Sequence, residues 1–176
     1  MLQRLMKKLK DQRGLTLIEL LAVIVILGII AAIAIPSIMG LIDNSKKDAH
    51  VANAQQMINS TKIAVTADKS LLPVDTKAIV IPLSYLEKEG YIEELKDPDG
   101  DLESYVRKTK VSDTTGPVTI SQDATTAGPT NDSYVLVKNN GGKLSYSVRL
   151  VNGKRGVKKS PDDAVLESNL TRSNVR

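Results

Sequence analysis

The hydrophobic and polar positions divide the first 42 residues into two segments. Residues 1–14 are basic, and their apolar residues recur at the i, i+3, i+4 and i+7 spacing of a helix face: Leu2, Leu5, Met6 and Leu9. Residues 15–42 are almost entirely apolar, and no residue from Leu20 to Ile42 carries a charge. At about 1.5 Å per residue, the uncharged run is about 35 Å of helix and predicts a membrane span.

The helical pattern continues beyond the apolar segment. Residues 43–68 contain neither proline nor glycine, so we expect the same helix to extend to about Ala67. Mildly apolar positions follow one face of this extension: Val51, Ala54, Met57, Ile58, Thr61, Ala64 and Val65. A face of this kind predicts packing against a globular head formed by residues 69–160.

The first elements of the head are indicated by weak sequence patterns. Residues 70–76 read as a loop, and residues 81–95 predict a short helix over Pro82–Glu89 that ends at Gly90. Alternation predicts a strand over Tyr105–Val111 and a second over Val118–Ser121.

The strongest β signal lies near the C-terminus. Tyr134–Lys138 and Lys143–Val151 flank Asn139-Asn140-Gly141-Gly142, which predicts a hairpin. Gly156-Val157 predicts a last short strand, and the polar tail of residues 161–176 predicts a short helix or disorder. The predicted fold class is α+β, with a long N-terminal helix, transmembrane and then amphipathic, packed on a small antiparallel sheet.

Glu19 is the exception within the apolar segment. A carboxylate in a membrane span costs at least about 2.5 kcal/mol, so it indicates a functional site. The preceding leader carries five basic residues and one acid, an excess that orients the N-terminus toward the cytoplasm and the head outside. The alternative is that Glu19 merely reaches the membrane interface of a plain signal anchor.

Composition narrows the function classes. The formal charge is +4. Removing the leader's five basic and one acidic residues from totals of 24 and 20 leaves 19 of each, so the remaining chain is neutral and its charge does not favour DNA binding. The sequence has no cysteine and therefore no disulfide. It has no nucleophile–base constellation or glycine-rich phosphate loop, which argues against an enzyme.

Residues 7–42 resemble the N-terminus of the type IV prepilins and of the pseudopilins of type II secretion and competence machines. The shared features are a basic leader ending in Gly14, the sequence Thr16-Leu17-Ile18, Glu19 and a long apolar helix with Pro36. The chain departs from the usual pattern in having Leu15 where these families have phenylalanine.

The resemblance implies a processing and assembly route. A prepilin peptidase would cut between Gly14 and Leu15 and methylate the new amine of Leu15. Glu19 would face the N-terminal amine of a neighbouring subunit, and the helix would loosen between Gly28 and Pro36 in a fibre. The route also implies other pilins, an assembly platform protein and an ATPase as partners, with the subunit passing from the cell membrane to an extracellular filament.

Acidic and basic clusters in the head are candidate binding sites. Asp97, Asp99, Asp101 and Glu103 alternate within seven residues, which suits Ca²⁺ or a solvated turn; we expect no other cofactor. A basic cluster could contact DNA or form a solvated hairpin face: Arg149, Lys154, Arg155, Lys158 and Lys159. His50, the single histidine, has no partner histidine or cysteine in the sequence and is expected at the surface.

The sequence therefore predicts a pilin-like structural subunit that polymerises through its N-terminal helix into a type IV pilus or a related filament. One alternative is a pseudopilin of a secretion or DNA-uptake machine. A second alternative, from a different class, is a monomeric surface-binding domain that uses residues 15–42 only as a signal anchor.

Overall fold

The structure is a computed structural model that describes residues 2–100, 104–107, 132–159 and 163–176, with side chains from residue 16 onward. Helix α1 runs from Leu2 to Ala67, which confirms the predicted extension. The chain divides into two compact units, Met1–Asp43 and Asn44–Arg176.

The second unit packs the last turns of α1 on an antiparallel sheet. The predicted face of α1 lies in the core, with Ala54, Met57 and Ile58 wholly buried. The strands are β1 (Ala78–Pro82), β2 (Tyr134–Asn140), β3 (Lys143–Val151), β4 (Gly156–Val157) and β5 (Val165–Leu166). They pair in the order β1-β2-β3-β4, and β5 also pairs with β3.

The strand register aligns one apolar row across the sheet. Ile81 pairs with Val135, Val135 with Val148, and Val148 with Val165. Paired residues point to the same face of a sheet, so the four side chains form a continuous strip, and each of them is buried. This strip belongs to the core cluster that also contains residues of α1.

The predicted hairpin is confirmed as β2 and β3. Gly141 and Gly142 form the connection, with φ of +61° and +85°. Two successive positive φ values are the signature of the type I′ turn that suits a twisted hairpin, and glycine adopts them at little cost.

The elements before the hairpin differ from the prediction at their boundaries. Helix α2 covers Leu83–Lys88, inside the predicted range, and Gly90 follows it with φ of +74°. Residues 78–82, which we did not predict as a strand, form β1 and are buried throughout. Buried strands lack polar–apolar alternation, which explains the omission.

The C-terminal tail is ordered where the structure describes it. It forms β5 and two short 3₁₀ turns, Glu167–Asn169 and Arg172–Asn174. Val165 and Val175 are buried, so a few apolar side chains fix a tail that is otherwise polar. The predicted strand 118–121 and most of strand 105–111 lie outside the described residues.

Candidate functional site

The predicted processing and assembly residues all lie on α1. Gly14 and Leu15 belong to its helical part, and the backbone stays helical through Glu19. Glu19 is exposed, and the side chains around it are apolar and exposed, including Leu17, Ile18 and Leu20. Between residues 16 and 42, the helix thus presents a single carboxylate on an apolar surface.

The apolar part of α1 is exposed in the described structure. Large aliphatic side chains between Leu17 and Ile42 are each at least half exposed. Among the described residues, this is the one helix long and apolar enough to cross a membrane. Burying such a surface is favourable by about 25 cal/mol per Å², so it requires lipid or other protein chains around it.

Gly28 and Pro36 do not interrupt the helix. The helical backbone continues through both residues, although Pro36 cannot donate a backbone hydrogen bond. A Cβ at Gly28 would meet nothing within 4 Å. The expected loosening of the helix between these residues in a fibre therefore stays a prediction.

The side chains of Asp97 and Asp99 lie together at a turn that contacts α1. Asp97 Oδ1 accepts the backbone N–H of Asp99 at 3.0 Å, which closes the turn. The two side chains are only 3% and 8% exposed. Asp101 and Glu103, the other two members of the acidic cluster, lie outside the described residues.

His50 is not at the surface, so that prediction was wrong. Its side chain is wholly buried, with Nε2 at 3.1 Å from Asp99 Oδ2 and Nδ1 at 2.9 Å from the hydroxyl of Tyr105. The Tyr105 oxygen also accepts a hydrogen bond from Asn53 Nδ2 at 2.9 Å. Hydrogen-bonded partners in the head offset the cost of burying the imidazole.

A helical periodicity was the signal that could have identified these contacts. Lys46, His50 and Asn53 continue the 3-4 spacing of the buried face of α1 toward the N-terminus. Polar residues on that line indicate polar contacts with the head, and all three reach the turn or its neighbours. The lack of metal-binding partners in the sequence does not by itself place His50 at the surface.

Arg155 dominates the electrostatics of the acidic turn. Its Nη2 lies 2.5 Å from Asp99 Oδ1 and its Nε lies 2.9 Å from Asp99 Oδ2. The hydrogen bond from Arg155 lowers the pKa of Asp99 far below its usual value; burial opposes this effect, and hydrogen bonds from His50 and Asn152 add to it. Asp99 is therefore an ionised carboxylate with a fixed cationic partner.

The described residues fit a calcium ion poorly. The nearest ligand atoms of His50, Asp97 and Asp99 lie within 4.8 Å of one another. Calcium takes six to eight oxygen ligands, whereas the carboxylates here accept hydrogen bonds from nitrogen atoms of His50, Asn152 and Arg155. The guanidinium group of Arg155 already binds the Asp99 carboxylate that a metal ion would need as a ligand.

The structure separates the predicted basic cluster. Arg149 is only 2% exposed and donates to the backbone carbonyl of Asp132 at 2.9 Å, so it is not available to DNA. Arg155 contacts Asp99. Lys154 and Lys159 are exposed and Lys158 is half-buried. DNA contact stays a prediction for these three lysines only.

Known proteins share the N-terminal motif of this chain. The sequence model described as the prokaryotic N-terminal methylation motif matches residues 9–35, which include Gly14, Leu15 and Glu19. Type II secretion system core protein G of Vibrio cholerae is 33% identical over 110 residues, covering 57% of this chain and 75% of that protein. The chain belongs to the type IV prepilin and pseudopilin family.

Two further pseudopilin relatives have the same name. Core protein G of Klebsiella michiganensis is 32% identical over 100 residues, covering 52% of this chain and 70% of the relative. The Escherichia coli K12 protein is 31% identical over 104 residues, covering 54% of this chain and 72% of the relative. No solved structure matches the chain.

Family membership explains the uncovered helix. The chain is a pilin-like filament subunit with an N-terminal methylation motif, and the apolar part of α1 is suited to membrane anchoring. It has the α+β order of a pilin-like fold, a long N-terminal helix followed by a small antiparallel sheet. The family is structural, which agrees with the sequence-based argument against an enzyme.

Proposed function

We propose that the chain is a pseudopilin that polymerises through α1 into the filament of a type II secretion-like machine. The single observation that carries this proposal is Glu19, an exposed carboxylate within an otherwise apolar helix that the methylation motif covers. The relatives are named as type II secretion system core proteins, which favours a secretion pseudopilus over a surface pilus. The chain itself would act as a structural subunit and carry out no chemistry.

Processing would create the partner of Glu19. Cleavage between Gly14 and Leu15 removes the basic leader and leaves an amine on Leu15, which the peptidase then methylates. Glu19 lies four residues further along, about one helical turn. A buried carboxylate is costly unless it is paired, so the amine of a neighbouring subunit and Glu19 would stabilise each other within the apolar filament core.

The charge distribution supports the proposed orientation. The leader carries the whole positive excess of the chain and would stay in the cytoplasm, with the head on the other side of the membrane. Extraction from the membrane exposes apolar surface, so polymerisation must bury it against sister subunits. A platform protein and an ATPase would drive this step.

Co-expression with a prepilin peptidase tests the processing step. We expect the chain to lose the mass of residues 1–14 and to gain a methyl group on Leu15. Gly14→Val should block cleavage because the Cβ and its branches crowd the backbone approach to the protease. Gly28→Ala, whose added Cβ meets nothing within 4 Å, is the matched control. Cleavage of the Gly14→Val variant at normal yield would contradict the assigned site.

Electron microscopy of sheared cells tests the assembly step. Glu19→Gln should prevent filaments while membrane insertion and cleavage continue, and Glu19→Asp, which keeps the carboxylate, should retain partial assembly. Filaments at normal yield with Glu19→Gln would contradict the pairing role. Long surface fibres formed by the wild-type protein at native expression would favour a type IV pilus over a short pseudopilus.

A further inference from the structure

The acidic turn of the head already contains a fixed positive charge. Arg155 holds both carboxylate oxygens of Asp99 in a forked arrangement, at 2.5 Å and 2.9 Å. Its side chain is 18% exposed, so the pair is largely removed from water. Forked guanidinium–carboxylate bonds are among the strongest charge-assisted hydrogen bonds in proteins.

The loop between β3 and β4 positions Arg155 for this contact. Asn152 Oδ1 accepts the backbone N–H groups of Lys154 at 2.9 Å and Arg155 at 2.6 Å. The backbone N–H of Asn152 donates to the carbonyl oxygen of Arg155 at 2.8 Å. These bonds close a tight loop, so Arg155 reaches the acidic turn from a constrained backbone.

Further donors occupy the remaining oxygens of the turn. Asn152 Nδ2 lies 2.6 Å from Asp97 Oδ2 and 3.1 Å from Asp99 Oδ2. Lys46 Nζ lies 3.8 Å from Asp99 Oδ1. Asp97 and Asp99 thus face side-chain donors from α1 on one side and from the β3–β4 loop on the other.

Both ring nitrogens of His50 have hydrogen-bonding partners. An ionised Asp99 only accepts hydrogen bonds, so Nε2 of His50 must donate to it. Nδ1 of His50 forms a hydrogen bond with the Tyr105 hydroxyl, whose oxygen also accepts from Asn53. Neither ring nitrogen therefore offers an unused lone pair to a metal ion.

We propose that Arg155 is the built-in counter-ion of the acidic turn, so that Asp97 and Asp99, the described part of the acidic sequence pattern, need no divalent cation for the head to fold. This proposal does not depend on the proposed secretion function. Arg155, in the β3–β4 loop, supplies the charge neutralisation that a calcium-binding head obtains from an ion.

Thermal unfolding of the full chain in detergent micelles tests the proposal. We expect the same melting temperature for the wild-type protein in EDTA, in millimolar Ca²⁺ and in micromolar Zn²⁺. Arg155→Ala should lower the melting temperature by about 5 °C in all three buffers, the size expected for the loss of a charge-assisted pair in a protein of this length. Lys159→Ala removes an exposed positive charge nearby and should leave it unchanged.

A second variant keeps the test informative if Arg155→Ala does not fold. Arg155→Lys keeps the charge but cannot form the fork, so its melting temperature should lie measurably below that of the wild type. A wild-type protein that melts at lower temperature in EDTA, or at higher temperature with either metal, would overturn the proposal. Equal melting temperatures for Arg155→Lys and the wild type would also overturn it.

Discussion

His50 Nδ1 lies 2.9 Å from the hydroxyl oxygen of Tyr105, in the interior of the head. The two rings also meet edge to face, with centroids 5.6 Å apart. His50 belongs to α1, and Tyr105 lies in the segment between α2 and β2. The contact therefore ties Tyr105 to the helix, and burial raises the pKa of Tyr105 well above its ordinary value.

His50→Ala should destabilise the head. The substitution removes the hydrogen bonds of His50 with Asp99 and with Tyr105 and leaves a cavity among buried side chains, and each lost hydrogen bond costs about 1 kcal/mol. Gln56→Ala, at an exposed position of the same helix, is the control. Chemical denaturation should show a clear loss of unfolding free energy for His50→Ala and little loss for Gln56→Ala. Equal stabilities would contradict the structural role of His50.

The stability of the head should decrease in acid because of Asp99. Its pKa is lower in the folded protein than in the unfolded chain, chiefly through the hydrogen bond from Arg155. A carboxyl group of this kind stabilises the fold above its unfolded pKa, near 4, and the contribution is lost as the pH falls below that value. When the melting temperature is measured at decreasing pH from pH 7, it should therefore begin to decrease below about pH 4.

Asp99→Asn should make this acid dependence shallower, because the variant has no carboxylate to protonate. Glu89→Gln removes an exposed negative charge at the end of α2 and should leave the slope close to that of the wild type. An unchanged slope for Asp99→Asn would mean that other carboxylates control acid unfolding. Glu167, whose pKa is lowered chiefly by its hydrogen bond with Lys62, would then be the next residue to test.

Local patterns predicted those parts of the fold that depend on sequence neighbours. The β2–β3 hairpin follows from a four-residue turn signal between alternating strands, and the buried face of α1 follows from its 3-4 spacing. β1 was missed because it is buried on both faces, and β5 because Val165 pairs with Val148 across a distant part of the sequence.

The N-terminal motif was predictable, whereas the polar network of the head was not. Gly14 and Glu19 lie in one short motif with a fixed spacing, and the comparisons match that motif. The network joins residues far apart in sequence, such as His50 with Asp99 and Asp99 with Arg155. Nothing in the sequence near Asp99 indicates that an arginine 56 residues later neutralises it.

Apolar contacts should hold the C-terminal tail more strongly than its surface ion pair. Val175 is buried and forms a β-bridge with Val157, so Val175→Ala should cost about 2 kcal/mol through lost methyl groups and a small cavity. Arg172 and Asp48 form a forked pair whose side chains are about half exposed. Arg172→Ala should change the melting temperature little, because water screens such a pair.

Limited proteolysis near the C-terminus would distinguish these contributions. Val175→Ala should accelerate cleavage within residues 163–176, whereas Arg172→Ala should be cleaved at nearly the wild-type rate. Faster cleavage of Arg172→Ala than of Val175→Ala would show that the ion pair, and not apolar burial, fixes the tail.

Gly156 should be the least replaceable glycine of the described head. A Cβ at this position would overlap the backbone oxygen of Leu150 and lie 2.5 Å from Val151 Cα, because β4 crosses very close to the end of β3. Both neighbours are backbone atoms of a paired strand and cannot move aside as a side chain can. Gly156→Ala should therefore cost about 3 kcal/mol or more, the upper range for overpacking a core.

Gly90→Ala separates this steric effect from a purely conformational one. Gly90 has a positive φ of +74° but nothing within 4 Å of an added Cβ, so its replacement should cost only about 1 kcal/mol. Denaturant unfolding of both variants should give a clearly larger loss of unfolding free energy for Gly156→Ala than for Gly90→Ala. Because Arg155 immediately precedes Gly156, that variant should also weaken the Arg155–Asp99 pair and reduce the acid dependence of stability. A smaller loss at Gly156 than at Gly90 would contradict the close packing of β3 and β4.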